Sequence, residues 1–174
     1  MFGCRGHREI GYPMSKEIVS NVSYPVAAGT TVLLSIDCQF GFGAASWEQV
    51  PHADAAAEPY PDLIADGDLV VYKTTFSAVL SSDLPAQLRA RGADTVVVGG
   101  LTTPICVQTT VDGLSMTGFK VIVLADACAS QAIGALSAEQ AHTAAIQRMA
   151  YLFAAVEDTD AFVGKVRALE PAAG

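Results

Sequence analysis

Short apolar runs alternate with helix-like segments along this chain, and that alternation limits the fold more than any other feature. Each run is rich in β-branched residues, which favour strands over helices. Strands that alternate with helices are typical of a layered α/β fold with a mainly parallel sheet. We predict five strands, at Thr31–Asp37, Leu69–Lys73, Asp94–Gly99, Lys120–Leu124 and Leu152–Val156.

Helix start and stop signals lie between these runs. Pro104 suits the first turn of a helix, and Ser137 with Gln140 has the spacing of a capping box. Gly92 follows a helical stretch at the position where glycine ends helices. We predict helices from Ser82 or Asp83 to Arg89, over Pro104–Thr117, from Ser137 to Tyr151 and over Asp160–Leu169.

Bulk properties favour one folded domain over residues 1–174, with an irregular leader at residues 1–25. Hydrophobic residues make up 51% and charged residues 16% of the chain, which argues against disorder. The net charge of −8 argues against a nucleic-acid partner. The first twenty residues contain no continuous apolar segment, so we expect neither a signal peptide nor a membrane anchor and predict a cytoplasmic location.

The four cysteines (Cys4, Cys38, Cys106 and Cys128) do not form a C-x-x-C pair. That spacing is what zinc sites and redox motifs use, so neither is predicted. Disulfides are not expected in a cytosolic chain of this size.

Three reactive side chains lie at or just after predicted strand ends: Asp37, Lys73 and Cys106. In open α/β sheets, ligands bind beyond the carboxyl ends of the strands. Each residue also has a structural interpretation, since Asp37 can cap a turn, Lys73 can be a solvated surface lysine and Cys106 can be a small buried hydrophobe.

Taken together, the three side chains make a consistent catalytic set. A helix N-terminus favours thiolate over thiol, so we expect a lowered pKa for Cys106. Asp37 can act as its base, and Lys73 can hold the carboxylate and offset negative charge. The turn at Leu101-Thr102 can aim backbone N–H groups at an oxyanion.

Four segments carry a resemblance to a known family. They are Leu33–Gln39, Lys73–Ala78, Gly100–Thr110 and Gly118–Ala127. In these segments the chain resembles the isochorismatase-like cysteine hydrolases, the superfamily of nicotinamidase, N-carbamoylsarcosine amidase, ureidoacrylate amidohydrolase and isochorismatase. The resemblance implies a three-layer α/β/α fold with Rossmann-like layering. It covers the chain from about Val22 to Val156.

The resemblance also implies roles for single residues. The family's catalytic triad falls on Asp37, Lys73 and Cys106. A non-proline cis peptide is implied between Leu101 and Thr102, with the backbone N–H groups of Thr102 and Cys106 forming the oxyanion hole.

A second group of residues is expected to shape the substrate pocket. Gln39 is implied near Asp37, and three aromatic residues are candidate pocket walls, although aromatic residues are more often simple core. These are Phe42, Trp47 and Phe76.

The predicted function is hydrolysis of a C–N bond, amide or carbamoyl, in a small molecule through a thioester on Cys106. No cofactor is expected. By resemblance, the protein is predicted to form a homo-dimer or homo-tetramer.

The chain departs from the family pattern between Asp37 and Lys73. A helix-plus-strand unit that family members have after the first strand is predicted to be missing, which removes part of one pocket wall. The nicotinamidase metal site lies in the same region. His52 and Asp54 are close together there, but no second histidine is near, so no metal site is predicted. His142 is expected to make a structural hydrogen bond.

Three alternatives remain open at this point. One is a vinyl-ether hydrolase of the isochorismatase type, which needs no cysteine nucleophile. Another is a non-catalytic binding or assembly protein on a shortened scaffold. A nucleotide-binding domain is the most remote, because the chain has neither a G-x-G-x-x-G motif nor a P-loop.

Overall fold

The structure, a computed structural model, describes residues 20–38 and 64–169. A four-stranded sheet forms its centre, with the strands in the order β1-β2-β3-β4 and every neighbouring pair parallel. The predicted α/β fold with a mainly parallel sheet is confirmed. The strands are β1 (Thr31–Ile36), β2 (Thr95–Leu101), β3 (Lys120–Ala129) and β4 (Ala155–Glu157).

Helices connect these strands and pack on the sheet. The predicted helix after β2 begins differently from expectation, as a π-helical turn over Thr103–Val107 that leads into the α-helix. The α-helices are α1 (Ala78–Ser81), α2 (Leu84–Ala90), α3 (Gln108–Met116), α4 (Ala138–Leu152) and α5 (Thr159–Arg167).

The strands divide the core into two layers because successive side chains point to opposite faces. On β2, Val96 and Val98 join the larger cluster, together with the buried faces of α2, α3 and α4. Val97 faces the other way and joins a smaller cluster that includes Phe162 of α5. Helices therefore cover both faces of the sheet, which is the expected three-layer arrangement.

Helix α4 begins where the capping-box signal predicts. Gln140 N donates to Ser137 Oγ over 3.1 Å, and Ser137 N donates to Gln140 Oε1 over 2.9 Å. This reciprocal pair satisfies backbone donors that the first helical turn leaves without partners. The capping box is confirmed, and it anchors the helix that carries His142.

One strand prediction is wrong, and the bounds of another are shifted. Leu69–Lys73 pairs with no strand in the described part of the chain; it is largely exposed, and Val71 is the residue that packs against the core. A β-rich run forms a strand only where an edge is available for pairing, and local propensity does not reveal that. The predicted strand at Leu152–Val156 begins later because α4 continues through Leu152, which leaves Ala155–Glu157 as β4.

Gly100 permits a close approach between β1 and β2. Its φ is +131°, and a Cβ at this position would lie 2.1 Å from Ile36 O. No side chain fits in that space, so glycine allows the two strand ends to meet at the edge where the reactive residues lie.

None of the helices within residues 20–38 and 64–169 has the length and apolar character needed to cross a membrane.

Candidate active site

Asp37 and Cys106 reach the same edge of the sheet from adjacent strands. β1 and β2 are parallel, with Ile36 opposite Gly100, so both chains leave the sheet at its carboxyl edge. Asp37 is the next residue after β1 and has a φ of +52°. This left-handed conformation is uncommon outside glycine and is found preferentially at functional sites, where the surroundings hold it in place.

Asp37 and Lys73 form a largely buried ion pair. Lys73 Nζ lies 2.9 Å from Asp37 Oδ2, and the two side chains are 17% and 7% exposed. Asp37 Oδ2 has no aligned hydrogen-bond donor among the described residues, so the contact is a charge pair and not a directed hydrogen bond. The charge contact still holds the two groups together, because at this separation Coulomb attraction does not depend on donor alignment.

The same ammonium group also reaches the thiol. Lys73 Nζ donates to Cys106 Sγ over 3.7 Å and to Thr75 O over 3.2 Å. Lys73 therefore bridges the carboxylate and the sulfur, and the structure brings all three predicted triad side chains together.

A network of hydroxyl groups holds the segment that carries Lys73. The backbone N–H groups of Thr74 and Thr75 donate to Ser81 Oγ over 3.3 and 3.2 Å. Ser77 Oγ donates to Thr109 O over 3.3 Å, which ties this segment to α3. Sequence reasoning missed this network, because hydroxyl contacts within an irregular segment follow no sequence pattern and the contact of Ser77 with Thr109 joins parts of the chain that are distant in sequence.

The π-helical turn positions Cys106. The turn is wound more widely than an α-helix, because two of its backbone hydrogen bonds join residue i to residue i−5. They run from Val107 N to Thr102 O and from Gln108 N to Thr103 O. Such π-helical segments are rare and often lie at functional sites. The turn begins directly after the Leu101–Thr102 peptide bond, which is cis.

Cys106 is 4% exposed, and its ionisation differs from the sequence-based expectation. The pKa of Cys106 is raised to about 11. The largest cause is burial, followed by the hydrogen bond with Asp37 and the negative charge of Asp37. The charge of Lys73 and the backbone N–H of Thr102 oppose that change. The prediction of a lowered pKa is therefore wrong: the resting thiol is protonated, because desolvation and an adjacent carboxylate outweigh the nearby donors.

His142 makes the buried hydrogen bond expected of it. Its Nδ1 lies 2.9 Å from Thr103 Oγ1, and burial lowers the pKa of His142. Thr103 was not singled out from the sequence, where nothing marked it as the partner of a histidine almost forty residues later.

Among the other predicted pocket residues, Phe76 lies in the described part of the chain. It follows Lys73 by three residues and is 65% exposed. The positions of Gln39, Phe42 and Trp47 lie outside the described residues, as do those of His52 and Asp54. Within the described ranges, Cys38, Cys106 and Cys128 are free thiols, and no group of three or more His, Cys, Asp or Glu side chains could hold a metal ion.

Fold and site together define the class of protein: a three-layer α/β domain with an Asp-Lys-Cys cluster at the carboxyl edge of its parallel sheet. A family model, the Isochorismatase domain, matches residues 43–161, which is more than half of the chain. The chain belongs to the isochorismatase family.

Two curated relatives show how far the similarity extends. The uncharacterized isochorismatase family protein YecD of Escherichia coli O157:H7 is 36% identical over 95 residues, which cover 55% of this chain and 44% of YecD. The ureidoacrylate amidohydrolase RutB of Methylobacterium radiotolerans is 39% identical over 97 residues, which cover 55% of this chain and 35% of RutB. The matching segments thus span less than half the length of these relatives.

Solved structures support the same fold. A cysteine hydrolase from Pseudomonas syringae pv. phaseolicola 1448A has a TM-score of 0.61 at 30% identity, covering 68% of this chain and 58% of that one. An isochorismatase from Pseudomonas putida KT2440 has a TM-score of 0.71 at 19% identity, covering 80% of this chain and 93% of that one. At 19% identity, the similarity to the Pseudomonas putida structure shows the fold alone.

Proposed function

We propose that this protein is a cysteine-dependent hydrolase that cleaves the C–N bond of a small amide or carbamoyl compound through a thioester intermediate. The observation that carries the proposal is the position of one ammonium group. Lys73 Nζ is 2.9 Å from Asp37 Oδ2 and 3.7 Å from Cys106 Sγ. This arrangement supports the proposed roles of Cys106 as nucleophile, Asp37 as base and Lys73 as cation in one reaction.

The first chemical step follows from the protonated state of the thiol. Asp37 accepts the Cys106 proton as the sulfur attacks the carbonyl carbon, so the thiolate forms during the reaction and not at rest. Lys73 remains next to both groups and stabilises the negative charge as it moves from carboxylate to sulfur. A resting pKa of about 11 for Cys106 is consistent with this order, because it keeps the thiol unreactive until a substrate is bound.

The oxyanion is held by backbone donors at the start of the π-helical turn. In this proposal they are the N–H groups of Thr102 and Cys106. Two such donors stabilise the charge that develops on the carbonyl oxygen. The N–H of Thr102 is already directed at the sulfur, where it favours the thiolate form and so opposes the raised pKa of Cys106.

The remaining steps return the enzyme to its starting state. Asp37, now a neutral acid, gives its proton to the nitrogen as the C–N bond breaks and ammonia or an amine leaves. The same carboxylate then takes a proton from water, the hydroxide attacks the thioester, and Cys106 leaves and is reprotonated by Asp37. No cofactor or metal enters these steps.

Similarity to an amidohydrolase supports a C–N bond as the target. The RutB of Methylobacterium radiotolerans is named for ureidoacrylate, and its match is 39% identical. We further propose that Gln39, Phe42, Trp47 and Phe76 contribute to the substrate pocket. A homo-dimer or homo-tetramer is part of the same proposal, and size-exclusion chromatography with light scattering tests it.

A panel of small amides, ureides and carbamoyl compounds, with released ammonia as the readout, tests the function directly. Turnover of at least one compound by the native protein, and its loss in Cys106→Ala, is the expected result. Turnover that survives in Cys106→Ala would instead support a hydrolase that cleaves the C–N bond without a covalent thioester intermediate.

A second candidate, a non-catalytic binding protein on the same fold, is favoured by one observation. Cys106 is 4% exposed, and its raised pKa is that of an unreactive buried thiol. This candidate predicts no turnover over the whole panel. It also predicts saturable binding of a small carbonyl compound that Cys106→Ala does not weaken, which isothermal titration calorimetry can measure.

A further inference from the structure

Thr103 and His142 form a buried polar contact at the start of the π-helical turn that carries Cys106. Thr103 is 0% exposed and His142 is 4% exposed, and the Oγ1–Nδ1 distance is 2.9 Å. Buried polar side chains are few within the described ranges, and the others are Ser77, Thr95 and Thr110. Burying an imidazole and a hydroxyl costs free energy, so the position of this pair calls for a physical reason.

The two partners belong to different secondary-structure elements. Thr103 is the first residue of the π-helical turn that carries Cys106, and its carbonyl accepts the hydrogen bond from Gln108 N that gives the turn its wide winding. His142 lies on α4, between the capped N-terminus and the apolar face that buries Ala145 and Ile146. The contact therefore ties a rare and irregular turn to a rigid helix.

The chemistry of the ring suits a fixed contact. Burial lowers the pKa of His142, so the ring is neutral near pH 7, with one nitrogen that accepts and one that donates. The Thr103 hydroxyl can donate to Nδ1 when that nitrogen carries no proton, and it can accept from Nδ1–H when it does. The pair thus remains bonded in either tautomer.

From this placement we infer that His142 is a positioning residue that acts through Thr103 to hold Cys106 Sγ in register with Asp37 and Lys73. The inference rests on the proposed function, because it assigns His142 to the nucleophile of that reaction. If the hydrogen bond is removed, the turn can shift, and a displacement of about 1 Å at a nucleophile can cost roughly 100-fold in rate.

The test uses two pairs of variants in the full chain. Thr103→Val and His142→Leu remove the hydrogen bond, whereas Thr103→Ser and His142→Asn retain a polar group at the same place. Thr95→Val is the matched control. Thr95 is also a buried threonine whose hydroxyl makes a hydrogen bond, since it donates to Asp94 Oδ1 over 2.7 Å, but it lies at the opposite end of β2 from Thr103.

The deciding measurement is the pH profile of Cys106 alkylation by iodoacetamide, read on the Cys106 peptide by mass spectrometry. Releasing the turn should move the sulfur away from Asp37 and toward solvent. The midpoint of the alkylation profile should therefore move to lower pH in Thr103→Val and His142→Leu. At pH 9 the alkylation rate should then rise by about tenfold, which corresponds to a fall of one pH unit in the midpoint. Thr103→Ser, His142→Asn and Thr95→Val should keep the native profile.

Turnover gives a second readout. With an active substrate, Thr103→Val and His142→Leu should lower kcat by roughly 100-fold with little change in KM, and the two conservative variants should restore it. Thr95→Val should lower thermal stability without changing kcat.

Identical alkylation profiles in all five variants and the native protein would overturn the inference, whatever the turnover shows. A native protein that turns over nothing in the panel would overturn the proposed function instead. Because alkylation needs no substrate, it still decides whether His142 positions the sulfur.

Discussion

Lys73 Nζ lies 2.9 Å from Asp37 Oδ2, in an ion pair whose side chains are 17% and 7% exposed. The two residues come from segments that differ in their strand pairing. Asp37 directly follows the paired strand β1, whereas Lys73 ends an extended segment that pairs with no strand in the described part of the chain. Removing one member of such a pair leaves the other charge buried without compensation.

Lys73→Met should therefore destabilise the protein. The uncompensated Asp37 carboxylate should lower the free energy of unfolding by about 3 kcal/mol, the cost typical of breaking a buried pair. Urea denaturation followed by circular dichroism measures the change. Lys120→Met is the control, because Lys120 and Asp94 form an exposed pair, with side chains 43% and 51% exposed, and its effect should be much smaller. Equal effects of the two substitutions would contradict the assignment of a buried pair.

Asp37→Asn should lower the pKa of Cys106. After burial, the hydrogen bond and charge of Asp37 are the main causes that raise this pKa to about 11. Without the negative charge, and with Lys73 still adjacent, the thiolate should form at lower pH. The alkylation midpoint of Cys106 should shift to lower pH although turnover is lost, because the base has been removed.

The matched control for this prediction is Asp112→Asn. Asp112 is a carboxylate in a separate ion pair, 2.8 Å from Arg148 Nη1, and its side chain is 17% exposed. Its removal should leave the Cys106 midpoint unchanged. A midpoint in Asp37→Asn that stays in place or moves to higher pH would show that Asp37 does not act on the sulfur.

Cys106→Ala and Cys106→Ser should each lower kcat by several powers of ten, because the parts of one catalytic unit fail together. Steady-state ammonia release from the best substrate of the panel measures this. In Cys38→Ala, which removes a different free thiol of the site edge, turnover should remain near the native rate. Full activity in both Cys106 variants would exclude the thioester route.

Gly100→Ala should destabilise the fold strongly. The added Cβ would lie 2.1 Å from Ile36 O at a φ of +131°, so β1 and β2 must separate. Overpacking and backbone strain together should cost at least about 3 kcal/mol.

Gly118→Ala separates the cost of overpacking from the cost of backbone strain. Gly118 also has a positive φ, +93°, but a Cβ added there would meet nothing within 4 Å, so the variant should lose only about 1 kcal/mol from the backbone conformation. Thermal denaturation of both variants tests the comparison. A milder effect at Gly100 than at Gly118 would mean that the strand ends are not as close as described.

Much of the fold could be predicted from the sequence, because the sequence signals for strands and helices lie within the elements themselves. The β-branched run Thr95–Val98 predicts a buried strand, and the capping-box pair Ser137 and Gln140 predicts the start of α4. The alternation of such elements predicts a parallel sheet, and parallel strands bring their carboxyl ends to one edge. From that rule alone, Asp37 and Cys106 were expected to meet.

The tertiary structure decided what depends on burial and on distant partners. Leu69–Lys73 has strand-like residues but pairs with no described strand, and the helix at Cys106 opens with a π-helical turn. The pKa of Cys106 is raised although its place in the sequence suggested the opposite. Propensity and spacing are properties of neighbouring residues, whereas desolvation and the charge of a residue brought in from another strand exist only once the chain has folded.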